Sequence, residues 1–119
     1  MKENVIKDKS KRFAIRIVEM YKYLSEEKHE YVISKQLLRS GTSVGANVSE
    51  GVYAQSKADF ISKMSIALKE AAESEYWLEL LKETEYVTKK QYHSINEDCL
   101  EIIRLLIAIT KNTKTTVSK

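Results

Sequence analysis

Two histidines, one cysteine and seventeen carboxylates are the groups in this 119-residue chain from which acid–base, metal or nucleophilic chemistry would have to be built. Glu26 and His29 stand at Glu-x-x-His spacing. Di-iron four-helix bundles use that unit twice, together with two further inward-facing glutamates. Only one such pair exists here, because the second histidine, His93, has Lys90 three residues before it. Zinc needs three or four His, Cys or carboxylate ligands, and one cysteine with two distant histidines falls short. Cys99 as a nucleophile would want a neighbouring base. His93 lies six residues before it, about 600° of helical rotation, and so on a different face. Glu70, Glu73 and Glu75 belong to an acidic segment whose ordinary reading is a solvated face or a subunit contact. Tyr76 and Trp77 read as core or interface packing. No nucleophile, base and oxyanion set emerges, so the expectation is a non-enzymatic protein with no catalytic residue, metal or cofactor.

Phosphate chemistry has one candidate segment, RSGTSVGANVSEG at residues 39–51, which holds all three glycines. A P-loop ends in Gly-Lys-Ser/Thr and a dinucleotide fingerprint is G-x-G-x-x-G after a strand; this segment has neither. Read as helix, it places Leu37, Val44, Val48 and Val52 on one stripe, with Gly41 inside it and Gly45 at its edge. Lys35, Arg39, Ser43 and Glu50 point the other way. Gly41, Gly45 and Ser49, spaced by four, then form a groove without side chains into which a neighbouring helix can pack. Each glycine inside a helix costs roughly 0.5–1 kcal/mol against alanine, which close contact must offset.

The cations are the remaining chemistry. The formal net charge is only +3, but residues 1–40 carry ten Lys or Arg against six Asp or Glu, while residues 70–88 carry one against six. Lys9, Arg12 and Arg16 fall on adjoining turns of one face of the first helix, and Lys35 with Arg39 on the outer face of the second. These five are the candidate phosphate contacts, set against the plainer reading of a solvated charged face.

The elements that must position them are helices. The chain has no proline and three glycines, too few for an architecture of strands and tight turns. Phe13, Ile17, Met20, Tyr21 and Leu24 recur at three- and four-residue steps, an apolar face about 100° wide. Ser56 with Asp59 and Thr88 with Gln91 are capping signals. Behind them run Phe60, Met64, Ala67, Ala71, Leu78 and Leu81, and then Ile95, Cys99, Ile102, Leu106 and Ile109. Ile103 and Ile107 widen the last stripe beyond one seam, which calls for more than one neighbour. The pattern predicts a single domain over 1–119, with helices at about 10–27, 31–53, 56–85 and 89–112. No apolar stretch approaches the roughly 18 residues of a membrane span, and the first twelve residues have no apolar run to make a leader. The lone cysteine fits a reducing compartment, so a cytoplasmic protein is expected.

The string KQLLRSGTSVGANVSEG followed by AQSKADFISKMSIALKEAAESEYWLELL closely resembles the bacterial four-helix-bundle proteins encoded within intervening sequences of 23S ribosomal RNA genes. The similarity runs from about Phe13 to Lys111. It implies an all-α, up-and-down four-helix bundle that assembles as a ring-like homopentamer. It also implies kinship with the accessory protein of diversity-generating retroelements, a basic pentamer that binds nucleic acid and a reverse transcriptase. The expected function is therefore oligomeric binding of RNA or DNA, structured RNA foremost, through phosphates. The alternative is a protein-interaction scaffold for an enzyme partner such as a reverse transcriptase. An enzyme acting on RNA ends or introns ranks last for want of a site.

Overall fold

The structure is a computed structural model that describes residues 2–118, with side chains from 5 to 112. Four α-helices follow one another: α1 (Lys2–Glu26), α2 (Ile33–Val52), α3 (Lys57–Glu83) and α4 (Lys89–Ser118). No strand occurs among the described residues. α1 starts well before the residue 10 expected from its apolar stripe. Ile6 and Ser10 continue the stripe of Phe13, Ile17 and Leu24 toward the N-terminus, and all five are buried.

The helix ends are set by side chains that the backbone needs. The first N–H groups of a helix have no partner inside it. At α3 the Ser56 hydroxyl accepts from the Asp59 N–H at 3.1 Å. At α4 Thr88 and Gln91 exchange bonds of 2.8 and 3.0 Å, a reciprocal capping box. α2 is capped from further upstream. The Glu30 carboxylate accepts from the N–H groups of Val32, Ile33 and Ser34 at 3.1, 2.9 and 2.6 Å, and α2 accordingly begins at Ile33, not 31. Glu30 is 7% exposed. Burial pushes its carboxyl up, but the three backbone donors outweigh this and hold it below the ordinary glutamate value. At the end of α3, Glu85 N–H bonds to Lys82 O at 3.0 Å and Tyr86 N–H to Leu81 O at 2.9 Å, with Glu85 at φ 65°. That is a Schellman ending whose left-handed position carries a side chain where glycine is usual.

The helices run antiparallel to their neighbours. α1 packs on α2 and α4, and α3 on the same two, so the chain goes up and down around a square and closes where α4 meets α1. The core runs down the middle from Leu37, Val44 and Val48 of α2 through Met64, Ala67, Ala71, Leu78 and Leu81 of α3 to Ile95, Cys99, Ile102, Leu106 and Ile109 of α4. A Cβ built on Gly41 would stand 2.6 Å from Ile17 Cγ1, and one on Gly45 3.3 Å from the Ser10 carbonyl oxygen. Both glycines therefore admit α1. Ser49, the third member of the expected groove, is exposed. The remaining close approach belongs to Gly51, where a Cβ would meet Met64 Cε at 2.7 Å across on α3. Since Gly51 is the residue of this last turn that faces α3, Val52 is turned outward and 37% exposed, not part of the stripe.

Two outcomes follow for stability. Gly41→Ala places a methyl inside the van der Waals contact of a buried, β-branched side chain. It should lower stability by about 1–3 kcal/mol in thermal unfolding, overpacking outweighing the propensity gain; Ile17→Val in the same chain should recover part of the loss. Glu30→Gln should cost about 1 kcal/mol at neutral pH. Because the folded carboxyl titrates below its unfolded value, that contribution is present above about pH 4.3 and disappears as pH falls through the folded value. Melting curves of the two proteins should converge in acid; a gap that stays constant from pH 7 to acid contradicts a charged cap.

Candidate nucleic-acid interface

α1 brings Lys9, Arg12 and Arg16 to the flank that faces α4, where acids meet them. Lys9 Nζ pairs with Glu101 at 2.9 Å. Arg16 Nη1 bonds to Asp98 at 2.7 Å and to the Ser94 carbonyl at 3.0 Å, and its Nη2 to the Ser94 hydroxyl at 2.8 Å. Arg12 is exposed beside them, on a shallow opening that it shares with Lys9, Asp98 and Glu101. These contacts tie α1 to α4 across the seam that closes the bundle.

Arg39 is held as firmly on the other flank of α2. One guanidinium nitrogen bonds to Glu70 at 3.0 Å and the other to Glu73, whose carboxylate also accepts from the Trp77 indole N–H at 3.0 Å. The hydrogen bond to Glu73 raises the Arg39 pKa, and the Trp77 bond followed by Arg39 itself lowers that of Glu73. Tyr76 stands edge-on to Trp77 with 5.0 Å between ring centroids. Lys35 is exposed on α2 and makes no ion pair among the described residues. The five expected cations thus divide between two flanks, and Lys9, Arg16 and Arg39 are already neutralised by acids of this chain. Exposed pairs of this kind add at most about 1 kcal/mol of stability, but each removes a charge from the field that a phosphate would meet.

A basic surface without acids lies elsewhere. Between α1 and α2, where Gly45 lets the backbones close up, an opening of about 270 Å³ is lined by Lys7, Lys11, Ala14, Thr42, Gly45, Ala46 and Ser49. None of these is acidic. Lys7 Nζ sits 5.9 Å from the centroid of the Tyr53 ring, which is 75% exposed. Lys7, Lys11 and Ala14 follow one another at four- and three-residue steps along one side of α1. Lys11 and Ala14 fall inside a helix taken to start near residue 10, and only Lys7 falls outside it.

The groups weighed for catalysis are placed as follows. Cys99 is buried and its Sγ contacts the Ala71 carbonyl at 3.3 Å. Burial, then Glu75 and Asp98, pushes its thiol up to about 12, which leaves no thiolate to attack with. Glu26 ends α1, while His29 lies beyond it at φ 55° with Nδ1 3.1 Å from the Tyr31 hydroxyl. His93 is exposed. Among the described residues no three of His, Cys, Asp and Glu gather as metal ligands, and no helix is long and apolar enough to cross a membrane.

A family described as 23S rRNA-intervening sequence protein matches residues 2–108. Among solved structures, a protein with unknown function from the S23 ribosomal protein family of Bacteroides thetaiotaomicron is 64% identical. It superposes with a TM-score of 0.92, covering 93% of this chain and 99% of that one. No curated protein matches the sequence.

Proposed function

The chain belongs to the 23S rRNA-intervening sequence protein family, and from that premise we propose that it is a non-enzymatic, oligomeric nucleic-acid-binding protein that holds structured RNA by its phosphates. The observation that carries this reading is the acid-free groove between α1 and α2, with Lys7 and Lys11 on its rim and the Thr42 and Ser49 side chains beside them. Two ammonium groups one helical turn apart match successive backbone phosphates in charge. A floor of glycine and alanine lets a backbone come near, and the lining has no arginine, asparagine or glutamine fork to grip a base edge. Arg12 and Lys35 are exposed and without ion pairs among the described residues, but Arg12 faces α4 beside Asp98 and Glu101, so the groove lysines carry the reading.

Repetition of this groove around an assembly would give a basic band that one subunit lacks. The proposed assembly is a homopentamer, which rests on the family resemblance and on Ile107, 48% exposed beside the half-buried Leu100 and Ile103 of α4. Those same residues, with the exposed Ile66 and Tyr76 on α3, favour the second reading, a scaffold for an enzyme such as a reverse transcriptase.

Light scattering at micromolar concentration should give about five times the 13.7 kDa of one chain; a mass of one chain removes the assembly and the band with it. In gel-shift titrations at two salt concentrations, wild-type protein should bind hairpin RNAs of unrelated sequence alike. Lys7→Gln with Lys11→Gln should reduce the log–log salt slope by roughly 0.7–0.9 for each phosphate that is no longer neutralised. Arg16→Gln and Arg39→Gln, already paired with acids, should leave the slope unchanged. Wild-type protein that binds no RNA or DNA at low salt overturns the proposal in favour of the scaffold.

A further inference from the structure

The end of the bundle that carries the α1–α2 and α3–α4 connections holds an opening of about 400 Å³, within the roughly 300–1,000 Å³ of small-molecule clefts. The half-buried rings of Tyr23 and Tyr86 line it, together with the apolar Val87. Three lysines from three separate elements converge on it: Lys28 from the first connection, Lys82 from the last turn of α3, and Lys89 from the first turn of α4. Unlike Lys9, Arg16, Arg39 and Lys63, none of these three makes an ion pair among the described residues. Two of them are held by rings instead. Lys28 Nζ lies 5.9 Å from the Tyr23 centroid, and Lys82 Nζ lies 4.3 Å from that of Tyr92. A ring contact positions an ammonium group without cancelling its charge.

Aromatic faces beside unneutralised cations suit a planar ring that carries an anion. We propose that this cleft binds a single nucleotide, its base against Tyr23 and Tyr86 and its phosphate among Lys28, Lys82 and Lys89. The carboxylates of Glu83 and Glu85 line the same opening. Two negative charges against three positive ones suit one phosphate and disfavour a triphosphate or a run of duplex backbone. They also offer acceptors to ribose hydroxyls or an exocyclic amine. The backbone at this end is set at some cost. His29, next to Lys28, and Glu85 both occupy left-handed conformations at φ 55° and 65°. A non-glycine residue there gives up about 1 kcal/mol, and at Glu85 the Schellman ending of α3 accounts for the conformation. The choice of nucleotide rests on the nucleic-acid reading above, and its source is either a free mononucleotide or one unpaired unit of an RNA.

Calorimetric titration of the full chain with AMP, adenosine and inorganic phosphate tests the site, alongside hairpin RNAs with a blunt end and with a single-stranded overhang. AMP should bind with a Kd below about 1 mM, at least tenfold tighter than adenosine or phosphate alone. Lys28→Gln with Lys89→Gln, both exposed positions, should weaken AMP tenfold or more with an unchanged melting temperature, and Tyr23→Leu should weaken adenosine as well. Preference for the overhang identifies the ligand as a unit of RNA; AMP binding without that preference identifies it as the free nucleotide. No saturable AMP binding, or equal binding by the Lys28, Lys89 variant, overturns the proposal. The Lys7, Lys11 variant should bind AMP as wild type does. AMP binding that survives while salt-dependent RNA binding is absent therefore overturns the groove and keeps the cleft, and the reverse result overturns the cleft alone.

Discussion

At Gly45 there is barely room for a methyl group against the Ser10 carbonyl, and at Gly41 there is none against Ile17. This approach of α1 to α2 fixes how far one helix slides along the other, because a shift of one residue would bring Thr42 or Ala46 to the contact. With that register set, Ile6, Phe13, Ile17 and Leu24 meet Leu37, Val44 and Val48 in the core. The third glycine does the same toward α3, where Gly51 accommodates Met64. One helix poor in side chains thereby sets its two neighbours, and close-packed interiors transmit such settings to the next layer. The surface consequence is the shallow groove whose floor is Gly45 and Ala46. A packing device and a proposed phosphate track are two sides of one small-residue stretch.

Charge is distributed by the same geometry. Acids of α4 meet the cations on one flank of α1, and acids of α3 meet Arg39, while Lys63 of α3 meets Glu50 of α2. Among the described cations without an ion pair are Lys7 and Lys11 of the α1–α2 groove and the three lysines of the cleft. A net charge of +3 says nothing about that division. Seams between helices consume opposite charges locally, which leaves Lys7 and Lys11 in a groove whose lining holds no acid.

Much of the fold can be read from the chain because its signals are local. Apolar residues at three- and four-residue spacing mark all four helices, and the Ser56 and Thr88 caps lie within three residues of their partners. The Glu30 cap is hidden because a glutamate reaching three successive backbone N–H groups looks, in one dimension, like part of a polar break. Periodicity misplaces Val52 because the end of α2 turns Gly51, not Val52, toward α3. The charged candidates are the least legible. Arg16 and Asp98 are 82 residues apart, and Arg39 and Glu70 are 31 apart. Periodicity can put a cation on a face but cannot say which helix faces it. The cleft is invisible for the same reason, since its lysines come from three elements.

The seam between α1 and α4 differs from the other three in one respect. α1–α2, α2–α3 and α3–α4 each join helices that are consecutive in the chain, whereas α1 and α4 are brought together from its two halves, with fewer close backbone approaches and with exposed ion pairs at the edge. Closing it carries the largest loop entropy of the four contacts, while consecutive helices meet through short connections. In kinetic terms the bundle resembles a strip of three hairpins that rolls up, the last edge meeting the first. Breathing of the native state should then begin at that edge, exposing the inner faces of α1 and α4 while α2 and α3 stay joined through their glycine and serine contacts.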